Sequence, residues 1–464
     1  MSLRRLSGLD SAFLTAERPG NPLHMMGVVI LDPSTVLGGY SFEKLRTSFA
    51  DQLPAIKPFR RRLVEVPGGL ARPFWSDVGD IELDYHLRRV AVPSPGGMRE
   101  LAEMARAMME RPLDRRFPLW EVQVAEGLEG GRIALLAKLS HAMMDGMAGM
   151  AMLSNLVTPT PELPPVPHKV LVADEVPGPI ELVAEAVPWL AGQPLRAARA
   201  GVDTVKYLAS GLRRGNKKSH DDERPELEVE RTWLNASLSP FREIAFCSLS
   251  LDELRSVGHA HGATINDALL AAVGGAVRRY ALARNELPEH PLVASVPIAL
   301  REEDDERANA VTAVSVSLAT DLDDPVERLE TIRSATTVRK KEKGATLGES
   351  LAAWVDVPPP FVFSLVADAY LDLDLATRMT PVCNLVVSSI PGPRGDLYLG
   401  GARLDAIYPI GPIFSGMALN VTAIGCGDQL DIGLVACRRA VPDLWELADA
   451  LPESLAELAG TKAA

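Results

Sequence analysis

The chemistry of this chain centres on one imidazole. His141 lies in the run Leu139-Ser140-His141-Ala142-Met143-Met144-Asp145-Gly146, four residues before a carboxylate. A neutral imidazole takes a proton from a hydroxyl near pH 7, and a nearby carboxylate can orient it. His141 and Asp145 therefore read as a general base and an orienting acid. They also read as a satisfied core histidine and a helix N-cap, and the spacing alone does not separate the two. Gly146 permits close backbone approach. Neighbours on an extended segment point to opposite faces, so only one of Ser140 and His141 faces a crevice.

Such a base needs a strand that stops at it and a helix that starts after it. Arg132 to Leu139 is an apolar run of strand length, and Gly146 to Val157 is Met- and Ala-rich with helical character. A strand-to-helix junction displays its side chains into a crevice. Upstream, Leu6 to Leu14 reads as a helical turn, and His24 leads into a strand from Met26 to Leu31. Ser41 starts a helix to about Gln52, with Glu43 in its first turn. Phe59–Val66 and Ala71–Trp75 form a hairpin around Pro67-Gly68-Gly69. Leu101, Met104 and Met108 have helical spacing, and Phe117-Pro118-Leu119-Trp120 opens a strand to Ala125. Strands interleaved with helices predict an α/β domain over 1–160.

Pro159, Pro161, Pro164, Pro165 and Pro167 then mark a linker, taken as 161–230. Leu195, Val202, Val205, Leu208 and Leu212 fall on one helical stripe with basic residues around it. That stripe fits a helix packed between two domains, or an interfacial helix on an anionic membrane or lipid droplet. Residues 217–230 are densely charged and read as a loop. The second domain, 231–464, shows strands at 245–251, 292–298, 311–319, 383–388 and 430–435, and helices at 325–341 and 442–459. Thr264 and Asp267 form an approximate capping box for a helix to about Arg284. His259 and His261 lie before it, but no third ligand is spaced to join them, so they read as a solvated helix end rather than a metal site.

Composition narrows the function classes. With 47% hydrophobic and 23% charged residues the chain is an ordinary globular protein, long enough for two or three domains. A net charge of −13 offers no basic excess for nucleic acid. The four cysteines are widely spaced without a CxxC pair, which fits a reducing compartment and no zinc site. No secretory signal and no apolar stretch near the roughly 18 residues of a membrane span are visible. The expected location is cytoplasmic, with peripheral membrane contact allowed.

Several stretches in order resemble the bacterial wax ester synthase/acyl-CoA:diacylglycerol acyltransferase family, within the chloramphenicol acetyltransferase-like acyltransferases. They are Leu6-Ser7-Gly8-Leu9-Asp10, Asp84-Tyr85-His86-Leu87, Phe117-Pro118-Leu119-Trp120, Ser140 to Gly146, Asn266-Asp267, Ser295 to Arg301 and Ile390-Pro391-Gly392-Pro393. Two departures stand out. The family centre reads His-His-x-x-x-Asp-Gly, and Ser140 replaces its first histidine. Its Asn-Val-Pro-Gly-Pro is Ser389-Ile390-Pro391-Gly392-Pro393 here.

The resemblance implies an α/β fold of two such domains, each a mixed sheet flanked by helices, joined by a long, partly helical linker. It implies acyl transfer from acyl-CoA, a substrate rather than a cofactor, to diacylglycerol or a long-chain alcohol. No metal and no further cofactor are expected. The catalytic role falls on His141, and Asp145 takes a structural role, with Arg301 as its expected partner. Asn266, near a helix N-terminus, is placed either to donate to the tetrahedral intermediate or to close a helix-start hydrogen bond. Burying a sixteen-carbon chain at roughly 0.8 kcal/mol per methylene gains on the order of 10 kcal/mol, which calls for an apolar tunnel. Met143, Met144, Met147, Met150 and Met152 fit a tunnel lining or a plain core. Pro118-Leu119-Trp120 packs a strand start or walls the substrate, and Pro391-Gly392 is a rigid turn placed to border the CoA channel. Two other readings stay open: a weakly active lipid-binding paralogue, prompted by Ser140, and acyl transfer to a different hydroxyl or amine.

Overall fold

A computed structural model describes residues 3–18, 20–144, 149, 153, 155–162, 172–199, 201–202, 227–299, 311–340, 357–393 and 395–460. Its strands are β1 (Arg4–Arg5), β2 (His24–Asp32), β3 (Arg61–Val64), β4 (Phe74–Asp77), β5 (Leu87–Ala91), β6 (Trp120–Glu126), β7 (Ile133–Ser140) and β8 (Val157–Thr158). They continue as β9 (Arg242–Ser250), β10 (Val293–Ala299), β11 (Val311–Ser317), β12 (Leu385–Ile390), β13 (Tyr398–Leu399), β14 (Ala402–Ile410), β15 (Leu419–Cys426) and β16 (Gln429–Cys437). The helices used below are α1 (Gly8–Ala16), α2 (Phe42–Gln52), α3 (Met98–Met109), α4 (Pro179–Ala191), α5 (Leu251–His261), α6 (Ile265–Ala283), α7 (Pro325–Lys340), α8 (Pro360–Asp372) and α9 (Leu444–Gly460).

Two mixed sheets carry the fold. The first runs β5-β6-β7-β2-β14-β13-β8 and the second β11-β10-β12-β15-β16-β9. The apolar run before His141 becomes β7, paired antiparallel with β6 on one side and β2 on the other. Being central, β2 and β7 bury both faces. Val29, Leu31, Leu135 and Leu139 enter a core with Phe49, Phe59 and Trp120. Val28, Ile30, Ala134 and Leu136 enter another, shared with α3 and with Ile244 and Val435 of the second sheet. The far face of the second sheet packs on α6 and α9.

The second half lends strands to the first sheet. β13 and β14, from late in the chain, complete the first sheet, with β14 antiparallel to β2. A linear division at 160 and 231 leaves this out. Neither β14 nor β15 was expected from the sequence, because Pro409 and Gly425 break runs that burial nevertheless turns into strands.

Local signals account for most element ends. The Ser41 hydroxyl accepts from Lys44 N–H at the start of α2. Thr264 and Asp267 form the expected capping box of α6, and Gly262, at φ 61°, closes α5 in the left-handed conformation. His259 and His261 lie in the last turn of α5, His259 exposed. No group of three or more metal-ligating side chains occurs among the described residues, and none of their helices is long and apolar enough to cross a membrane.

Two buried charges knit the layers. Lys138 on β7, 1% exposed, donates to the carbonyls of Met108 (3.2 Å) and Arg111 (3.1 Å) at the end of α3. Burial pulls its ammonium pKa down, against the attraction of Glu121. Asp431 on β16 accepts from Ser248 Oγ (2.6 Å) and, across the layers, from the Ile407 N–H of β14 (2.8 Å). Burial pushes its carboxyl up to about 6.

Candidate active site

His141 begins the turn that follows β7. Its predecessor Ser140 is fixed by the backbone: its N–H donates to the Leu119 carbonyl (3.0 Å), and its own carbonyl accepts from Met143 N–H (3.0 Å). The two side chains part as strand neighbours do. Ser140 is buried, and His141 is partly exposed. The His141 N–H donates to the Leu23 carbonyl (3.3 Å), and its ring stacks on Phe13 of α1, with centroids 4.2 Å apart and planes 24° from parallel.

The stretch 118–120 anchors this strand end from behind. Trp120 is fully buried, sandwiched between Phe59 (4.5 Å) and His86 (4.1 Å), and its indole N–H donates to the Phe59 carbonyl (2.9 Å). His86 holds the Trp120 carbonyl through Nδ1 (2.8 Å), and burial lowers its pKa. Pro118 and Leu119 are buried beside it, and the Leu119 carbonyl is the one that receives Ser140. Met144 is 1% exposed and packs with Met143 in the core of the first sheet. Met143 also lines a cavity of about 250 Å³ with Arg4, Arg5, Arg61 and Arg72.

Asp145 and Gly146, with Met147, Met150, Met152 and Arg301, lie outside the described residues, as does most of the basic stripe at 195–218. Asn266 sits in the first turn of α6, a helix packed on α5, α7 and α9. The hydrogen bonds around it belong to Asp267, which accepts from the Thr264 N–H (2.8 Å) and the Thr336 hydroxyl (2.7 Å). Gly392 follows β12 against the backbone of β15, where a Cβ would stand 1.6 Å from the Gly425 carbonyl oxygen. Pro391 beside it is exposed.

Sequence reasoning missed the groups that touch His141 and those beneath it: Phe13, Glu17, Leu23 and Arg115. Glu17, just past α1, places Oε1 3.4 Å from Ser140 Oγ and 3.4 Å from His24 Nδ1. Arg115 reaches its other oxygen (3.3 Å) and Glu65 (3.1 Å). The signal available was weak, a Glu-Arg pair in a polar turn before a strand.

Glu17 and Arg115 also line a cleft of about 740 Å³, within the range of small-molecule sites. Its lining mixes charged side chains, Arg18 and Glu65 with them, and apolar ones, Leu14, Val66, Pro67 and Ala71 together with Pro360, Phe361 and Leu365 of α8. Arg18 ties α8 in place through Asp368 (2.6 Å). One carboxylate of its lining, Glu17, is in contact with Ser140, the neighbour of His141.

Comparison with known proteins places the whole chain in one family. Residues 6–269 match the model of the wax ester synthase/diacylglycerol acyltransferase catalytic domain, and residues 308–459 that of the WS/DGAT C-terminal domain. The chain is 31% identical over 479 residues to the O-acyltransferase WSD of Acinetobacter baylyi, covering 98% of this chain and 96% of that protein. A Mycobacterium tuberculosis protein that carries a diacylglycerol O-acyltransferase name on provisional assignment is 34% identical over 460 residues, covering 98% and 90%. The wax ester synthase/diacylglycerol acyltransferase of Marinobacter aquaeolei VT8 superposes with a TM-score of 0.69 at 28% identity, covering 99% of this chain and 100% of that one. The first condensation domain of the calcium-dependent antibiotic synthetase, at 17% identity and a TM-score of 0.59, shares the two-unit fold. The chain belongs to the wax ester synthase/diacylglycerol acyltransferase family.

Proposed function

We propose that this enzyme moves a long-chain acyl group from acyl-CoA to the hydroxyl of diacylglycerol or a long-chain alcohol, with His141 as general base. The observation that carries the role of His141 is its placement: a partly exposed residue at a strand end, with its backbone N–H bonded to the Leu23 carbonyl and its ring stacked on Phe13. The imidazole takes the hydroxyl proton as the oxygen attacks the thioester carbon. The C–S bond then breaks, and the CoA thiolate recovers the proton. Ester and free CoA leave, so atoms and protons balance without an enzyme-bound acyl group or a further cofactor. The cleft beside Glu17 supports a lipidic substrate, since apolar side chains of its lining, Leu14, Val66, Phe361 and Leu365, can take an alkyl chain.

The test is ester formation from labelled palmitoyl-CoA with dioleoylglycerol or hexadecanol. His141→Ala should lose roughly 10²–10⁴-fold in rate. Equal rates in wild type and variant would remove His141 as base. Product from neither protein would favour a lipid-binding paralogue.

Attachment to a lipid surface belongs to the same proposal. α8 has no buried residue, and it exposes Leu365 (65%) and Val366 (63%) beside the cleft. Met379 and Val382, further along, are exposed too. An apolar helix face at the rim of a substrate cleft fits collection of substrates from a lipid surface.

A further inference from the structure

We propose that Glu17 and His24 are positioning residues for His141. The proposal rests on the reading of His141 as the base. The two contacts described for His141 come from different segments, the Phe13 ring from α1 and the Leu23 carbonyl from the start of β2. Between them the chain makes one short turn. Whatever sets that turn sets the imidazole.

Three features close it. The Glu17 N–H donates to the Phe13 carbonyl (3.1 Å), so the carboxylate-bearing residue is bonded to the residue under the imidazole. Arg18 and Asn21 exchange backbone hydrogen bonds (2.8 and 3.3 Å). The Glu17 carboxylate then bridges the turn to His24, the residue after Leu23, at 3.4 Å.

His24 is suited to that task. It is 1% exposed, and its Nε2 accepts from the Leu113 N–H (3.2 Å). A ring nitrogen that accepts an amide hydrogen carries no proton of its own. The neutral ring therefore bears its hydrogen on Nδ1, the atom facing Glu17. Strand register sets His24 directly opposite Ser140, and the Ser140 hydroxyl lies 3.4 Å from the same carboxylate oxygen. One carboxylate thus joins the end of α1, the start of β2 and the end of β7, the three segments that meet around His141. The second half of the chain grips the turn as well. Arg242 at the start of β9 donates to the Gly20 carbonyl (3.3 Å) and to Asn21 Oδ1 (3.2 Å). None of these side chains has a part in the proton transfer.

The experiment combines kinetics with a readout that needs no substrate. Glu17→Ala, Glu17→Gln and Ser140→Ala are assayed for kcat and for KM of both substrates. The ring resonances of the histidines are followed by NMR in protein carrying ¹³C-labelled histidine, with His141→Ala supplying the assignment. Glu17→Ala should lower kcat about 10–100-fold with both KM values within about threefold, as misplacement of a reacting group does. It should also move the His141 resonance. Glu17→Gln, whose amide oxygen can still accept from Ser140 and stay in contact with His24, should recover most of the rate and the resonance position. Ser140→Ala removes the hydroxyl contact with Glu17, together with the acceptor of the Ala142 N–H, and should give a smaller loss in the same direction, which keeps the test open if Glu17→Ala does not fold. The proposal is overturned by an unmoved His141 resonance in both Glu17→Ala and Ser140→Ala, by equal losses in the Ala and Gln variants, or by a loss confined to KM. If His141→Ala keeps the wild-type rate, the base assignment fails instead, and the resonance still reports on positioning.

Discussion

Asp431→Asn should make the protein more stable at neutral pH and leave it little changed in acid. Asp431 is 1% exposed, and its carboxyl is raised from the ordinary 3.8 to about 6 by burial, against hydrogen bonds from Ser248 and Ile407 that favour the charge. Between those two values the folded state holds a proton that the unfolded chain has lost, so folding is favoured at the acid end and weakened as pH rises through 6. At 1.36 kcal/mol per pH unit the full displacement corresponds to about 3 kcal/mol lost above pH 7. Asparagine cannot ionise. Its carbonyl oxygen can accept from the Ile407 N–H and its amide can donate to Ser248 Oγ, so the junction between the two sheets keeps its bonds. Urea unfolding of both proteins at several pH values between 4 and 8 measures the difference, and other carboxylates cancel in it. The variant should gain up to about 3 kcal/mol at pH 8, shrinking toward zero near pH 4. A difference that does not vary with pH, or a variant less stable at pH 8, would refute the reasoning.

Lys138→Met should cost about 3 kcal/mol in urea unfolding at pH 7.5, because the carbonyls of Met108 and Arg111 lose a buried donor. Gly392→Ala should cost more than about 3 kcal/mol or abolish soluble expression, since backbone, not a movable side chain, stands 1.6 Å from the new Cβ; a melting temperature within a few degrees of wild type would contradict this. His86 has its pKa lowered by burial, so its neutral ring contributes stability that is present above about 6.5 and lost as pH falls below it. His86→Phe should flatten the stability profile between pH 7 and 5, and an unchanged slope would exclude that origin. Leu365→Glu with Val366→Glu should abolish flotation with phosphatidylcholine vesicles while leaving wild-type flotation insensitive to salt, since that face is apolar; loss of wild-type flotation at high salt would shift attachment to basic residues.

Much of the frame was legible because its signals are local. The apolar run before His141, the Ser41 and Thr264 caps and the tail helix each announce themselves within a few residues. β14 and β15 were not: β14 owes its place to β2, hundreds of residues away, and β15 lies between β12 and β16, where pairing and burial override the break that Gly425 makes in its apolar run. The same holds at the site. His141 was visible as a residue type in a motif, but Phe13 and Leu23 meet it, and Glu17 meets Ser140, only once β2 pairs with β7. Trp120 was expected to pack a strand start and Gly392 to sit in a rigid turn, but the partners that make those roles specific come from distant segments. Trp120 is a buried plate between two rings, and Gly392 is a place where two backbones pass too closely for a methyl group.

The serine at position 140 is the departure that most invites a reading of lost activity, and its surroundings argue the other way. Three bonds around it run through backbone atoms: Ser140 N–H to Leu119, Met143 N–H to the Ser140 carbonyl, and His141 N–H to Leu23. A change of side chain at 140 leaves all three in place. What the side chain itself touches is the Glu17 carboxylate and the Ala142 N–H, each at 3.4 Å, and that carboxylate has a second partner at the same oxygen in His24 and a third in Arg115. A serine there still supplies a hydroxyl donor to the acid, so replacing a histidine changes one of several contacts rather than removing the support. The placement of the imidazole at 141 therefore depends more on the turn beneath it than on the identity of the residue before it.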